Sequence, residues 1–69
     1  MKFSARNHFT GNVREVLNGP VNSEVKIAIG PGIDIVAIIS TRSANELQLA
    51  AGKRAHVLIK ASNVIVGVD

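Results

Sequence analysis

The sequence predicts an all-β fold: a five-stranded barrel with one short helix between the third and fourth strands, built to pack against copies of itself. Three observations predict it. Hydrophobic residues make up 46% of the chain but aromatics only 3%, so Val, Ile, Leu and Ala carry the apolar content, and the β-branched ones suit strands. Glycine- and proline-containing turn signals cut the chain into short runs. Two of those runs are apolar on both faces, which a lone barrel would leave partly uncovered. A chain of 69 residues is read as one domain spanning 1–69. Domains this small need a disulfide, a metal or partner copies to add to a limited core. With no cysteine and two widely separated histidines outside any ligand motif, partner copies are the remedy left.

The elements follow in order. Ala5 to Leu17 reads as a first strand, bent or bulged at Gly11. Asn18-Gly19-Pro20 is a turn. Val21 to Ile29 alternates Glu24 and Lys26 with Val25, Ile27 and Ile29, a half-buried strand. Gly30-Pro31-Gly32 is the next turn, and Ile33 to Ser40 is a third strand, apolar on both sides. Ser43-Ala44-Asn45-Glu46 fits a capping box, with Ser43 as the N-cap of a helix running to about Leu49 and Gly52 as its stop. Lys53 to Lys60 is a fourth strand with Ala55, Val57 and Ile59 inward and His56 outward. Asn63 to Val68 is a fifth, apolar on both faces. Five strands with one helix between the third and fourth is the element order of an OB-type barrel.

Several function classes fall away. There is no GxSxG, P-loop or GxGxxG motif and no Ser, His and Asp set in a recognisable arrangement, so the chain is not read as an enzyme and no cofactor is expected. No apolar run is long enough to span a membrane, and Met1-Lys2-Phe3-Ser4-Ala5-Arg6 has a charge where a signal peptide's apolar run should be, so a cytoplasmic protein without a membrane partner is expected. Many OB barrels bind nucleic acid, and a nucleic-acid-binding OB module is the alternative reading. It is the weaker one. Base stacking needs aromatic platforms, yet this chain has no Trp or Tyr, and its basic residues are scattered.

A small oxyanion fits the polar residues better, and the net charge of +3 mildly favours an anion. Ser4, Arg6 and Asn7 cluster near the start. Lys60 and Ser62 flank Ala61 near the end. Ser40, Thr41 and Ser43 stand where the helix begins, with its unpaired backbone N–H groups. These clusters hold donors and no carboxylate. Phosphate near neutral pH carries a proton that needs an acceptor; molybdate, tungstate and sulfate do not. A donor-only niche therefore penalises phosphate. Each cluster also has a plain structural reading: a helix cap at Ser43, serines at strand starts, an edge lysine at Lys60.

The order of these motifs resembles one known family. Ser4-Ala5-Arg6-Asn7 is similar to the S-A-R-N opening of the molbindin (Mop) domain. Gly11-Asn12-Val13, Asn18-Gly19-Pro20-Val21 and Glu24-Val25 resemble its first strand and hairpin. Ile38-Ile39-Ser40, Ser43 and Glu46-Leu47 resemble its I-x-S-x-x-S-x-x-E-L segment, and Ile59-Lys60-Ala61-Ser62-Asn63-Val64 its ending. The match runs the length of the chain. His8-Phe9 departs from it, standing where members often have glutamine and leucine.

The resemblance implies a cytoplasmic protein that binds molybdate or tungstate for storage and homeostasis, as a homo-hexamer arranged as a trimer of dimers. It implies oxyanion sites between subunits, with Ser4, Arg6, Asn7, Lys60, Ala61 and Ser62 from one chain and Ser40 and Ser43 from another. Ala61 would contribute its backbone N–H. No side chain would ligate a metal directly. A bare oxyanion suits these donors better than a pterin, which would want a larger, partly aromatic pocket.

Overall fold

A computed structural model describes all of residues 1–69. Four strands form one antiparallel sheet: β1 (Asn7–Asn18), β2 (Asn22–Gly30), β3 (Ile33–Ser40) and β4 (Arg54–Ile59), with the helix α1 (Thr41–Glu46) between β3 and β4. The sheet order is β3-β2-β1-β4, so β3 and β4 are its edges and the barrel is open between them. No helix is long and apolar enough to cross a membrane.

The twelve-residue β1 organises the sheet. Its first half, Asn7 to Asn12, pairs with β4. Its second half, Asn12 to Asn18, pairs with β2. The strand changes partner near Asn12, and this curls the sheet. The register shift expected at Gly11 falls instead between Val13 and Glu15. Gly11 serves another purpose: a Cβ there would stand 2.0 Å from the carbonyl oxygen of Ala28, so glycine is what lets β2 press on the bend. The inward residues Val13, Val25, Ile27 and Val57 form the buried core, in line with the alternation in the sequence.

The helix starts three residues earlier than its capping box suggests. Ser40, rather than Ser43, is the N-cap: its Oγ accepts from the backbone N–H of Ser43 at 3.0 Å. The Ser-x-x-Ser spacing fills the cap equally well, and the β3 ladder holds Ser40 in the extended conformation an N-cap needs. The helix ends at Glu46, well before Gly52. Gln48 takes the left-handed conformation after it, at φ 54°, and Lys53 Nζ donates to the Leu47 carbonyl at 2.6 Å. Gly52, at φ 91°, belongs to the turn into β4. Ser40→Ala is expected to cost about 1 kcal/mol by loss of the cap. A shift in the urea midpoint at constant m would register it.

The expected fifth strand is not formed. A 3-10 turn occupies Ala61–Asn63, and residues 64–69 pair with nothing. A strand needs a ladder partner for its N–H and C=O groups, and this segment has no such partner within the chain. Val64 is nevertheless extended (φ −84°, ψ 129°), and Ile65, Val66 and Val68 stand 94%, 83% and 94% exposed. Ile38 and Val36 on β3 are also exposed, as the doubly apolar pattern predicts.

Candidate functional site

The register of β1 with β4 decides which sequence clusters meet. Asn7 pairs with Ile59, which sets the segment before β1 against the segment after β4. Asn7 Nδ2 donates to the Ile59 carbonyl at 3.1 Å and ties the two together. Just beyond this tie, Ser4, Ala5, Arg6, Lys60, Ala61 and Ser62 line an open recess of about 440 Å³. Most of the two terminal clusters thus lies in one concavity, with the Asn7–Ile59 bond next to it in sequence. Ala5 belongs to it as well, though its apolar side chain gave no signal in the sequence.

The recess holds a guanidinium, an ammonium and two hydroxyls, with no carboxylate among its lining residues and no aromatic ring. Neither Arg6 nor Lys60 is engaged in a salt bridge; the ion pairs of the chain are Arg14–Asp34 and Arg42–Glu46. Both cations are therefore free to face an anion. The 3-10 turn bonds the N–H groups of Asn63 and Val64 back to Lys60 and Ala61. The amides of Ala61 and Ser62 precede those bonds and have no partner within the turn.

Ser40 and Ser43 lie elsewhere. Ser40 pairs with Asn22 at the start of β2, beside Asn18 at the far end of β1. The intervening length of β1 is on the order of 30 Å, so one chain cannot bring the serines to the recess. The two serines form a unit of their own. Ser40 Oγ donates to Ser43 Oγ at 2.8 Å while accepting from the Ser43 N–H, which leaves the Ser43 hydroxyl proton without a partner in the chain. Thr41, the third polar residue of this cluster, is used by the fold. Its Oγ1 donates to the Gly19 carbonyl at 2.7 Å and meets the buried Ser23 hydroxyl at 2.8 Å. Ser23 in turn donates to Asn18 Oδ1. This network locks the β1–β2 turn to the start of α1 and fixes where Ser40 and Ser43 stand.

Comparison with known proteins places this geometry. The TOBE domain family matches residues 4–66. A probable molybdenum-pterin-binding protein of Haemophilus influenzae is 45% identical over 69 residues, covering all of both chains. The solved structure of a molybdate-binding protein from Sporomusa ovata is 31% identical with a TM-score of 0.90, covering 99% of this chain and all of that one. The cytoplasmic molybdate-binding protein ModG, solved with molybdate bound, is 48% identical with a TM-score of 0.84 over 88% of this chain and 43% of its own. From end to end, then, this chain belongs to the TOBE-domain family, among its Mop-type members.

Proposed function

We propose that this chain binds molybdate or tungstate between two copies of itself, and that it stores and buffers the oxyanion inside the cell. Ser4, Arg6, Asn7, Lys60, Ala61 and Ser62 of one copy supply the cationic half of the site, and Ser40 and Ser43 of another supply hydroxyls. The observation that carries this reading is the division of the donors. A recess with two uncommitted cations and no carboxylate sits at one end of β1, and a paired-hydroxyl unit sits at the other. A tetrahedral dianion fits the first chemically, and only a second chain can bring the second to it. The names of the relatives support the ligand, since they are described as binding molybdate or molybdenum-pterin. The absence of any ring among the lining residues favours the bare oxyanion over a pterin.

The surface supports association. Only six of 69 residues are buried, while Ile38, Ile65, Val66 and Val68 are 65–94% exposed. Such an apolar surface is a contact surface. We read the assembly as a hexamer, a trimer of dimers, in the cytoplasm, with binding and not catalysis as its activity.

Calorimetric titration tests the reading with molybdate, tungstate, sulfate, phosphate and a short oligonucleotide as separate ligands. Molybdate or tungstate is expected to bind most tightly and phosphate weakly. Heat from the oligonucleotide alone would overturn the proposal. Sedimentation should find hexamers; a monomer at micromolar concentration would remove the shared site. Saturating molybdate should also raise thermal stability, by about 4 kcal/mol when the free ligand stands a thousandfold above Kd. A melting temperature indifferent to the ligand would argue against a site that joins subunits.

A further inference from the structure

We propose that His8 and His56 form a two-histidine site for a late first-row transition-metal dication, with zinc as the reference case. The site is separate from the oxyanion recess and uses none of its residues. The β1–β4 register pairs Thr10 with His56 and His8 with Leu58, so both histidines project from the outer face of the sheet as diagonal neighbours. His8 Nε2 stands 3.0 Å from His56 Nδ1. Metal–imidazole bonds of about 2.0–2.1 Å require two nitrogens on one ion to stand about 2.9 Å apart at a right angle and about 3.3 Å apart at a tetrahedral angle. The observed separation lies within that span.

The surroundings fit such an ion. Thr10 Oγ1 lies 3.3 Å from the same His56 nitrogen, so a hydroxyl stands beside the pair. Phe3 and the His8 ring meet in a T-shaped contact at a centroid distance of 4.8 Å. No third histidine, aspartate or glutamate joins the pair, so the remaining coordination positions belong to water. Two neutral imidazoles without a carboxylate select zinc, nickel or copper over magnesium or calcium, which prefer oxygen. In the metal-free chain one ring donates its N–H to the bare nitrogen of the other. Metal binding requires the donor ring to change tautomer, its proton exchanging through water to its other nitrogen, so that both rings stay neutral and each turns a lone pair to the ion.

The chain has only these two histidines, and this makes the test direct. Zinc chloride alone is titrated into the molybdate-free protein while the imidazole resonances are followed by NMR and the heat by calorimetry. Both rings should shift together, saturating at one zinc per chain. His8→Gln and His56→Gln should each weaken zinc binding at least tenfold, with far-UV circular dichroism unchanged because both side chains are exposed. Zinc that leaves both rings unshifted, as binding at the terminal amine would, overturns the proposal. So does equal zinc affinity in the wild type and the double variant. The wild-type ring shifts alone decide the matter if a variant fails to fold.

Discussion

Replacing Lys60 with alanine is expected to weaken molybdate binding by about 1.5–3 kcal/mol, roughly ten- to a hundredfold, the range for a hydrogen bond to a charged group. Lys60 follows β4, carries no salt bridge, and lines the recess together with Arg6. Its ammonium has no structural partner to lose, so unfolding of the unliganded protein should be almost unaffected. The separation of binding from stability identifies a ligand contact. Arg6→Lys should retain part of the affinity, because it keeps the charge but gives up the planar fork that grips two oxygens at once. Calorimetry on both variants checks this, and affinities equal to the wild type would take both residues out of the site.

A valine at Gly11 should have the largest effect on the fold. Its Cβ would lie 2.0 Å from the Ala28 carbonyl oxygen, 2.9 Å from the Ala28 carbonyl carbon and 3.1 Å from the Ile29 Cα. All three are backbone atoms, so no side-chain rotation relieves the clash. Either β2 moves off β1 or the bend near Asn12 opens. Overpacking of this kind costs about 1–3 kcal/mol and sometimes more, a large share of the stability of a chain with so small a core. Urea unfolding should show a sharp drop in midpoint, and alanine should already produce much of it. An unchanged midpoint would mean that the close approach of the two strands is not required.

The strands and the core were largely legible in the sequence because alternation reports burial directly. Val25 and Ile27 in β2 and Val57 in β4 are inward where their spacing put them. The details that depend on partners at a distance were not legible. The N-cap moved from Ser43 to Ser40 because the β3 ladder decides which serine is still extended when the helix begins. The fifth strand failed to form because apolar residues specify only that a segment wants cover, not which chain provides it. In the site, the residues alone left Ser4 and Arg6 in one cluster and Lys60 and Ser62 in another; the family resemblance implied that they act together, and the strand register brings them into one recess. The meeting of His8 and His56, 48 positions apart, left no local pattern to read. The use of Thr41 by the Ser23 network was hidden for the same reason.

The separation of the two donor groups along β1 also sets how occupancy is counted. In the proposed arrangement each chain carries one cationic half and one hydroxyl half, so every junction would consume one of each. A reciprocal pair or a closed ring uses up all its halves, and the number of finished cages equals the number of chains. A trimmed or odd-ended assembly would leave an orphan half at each terminus. The molybdate-to-protein ratio at these shared sites would therefore double as a gauge of closure: a value near one marks a sealed particle, and a deficit counts its loose ends.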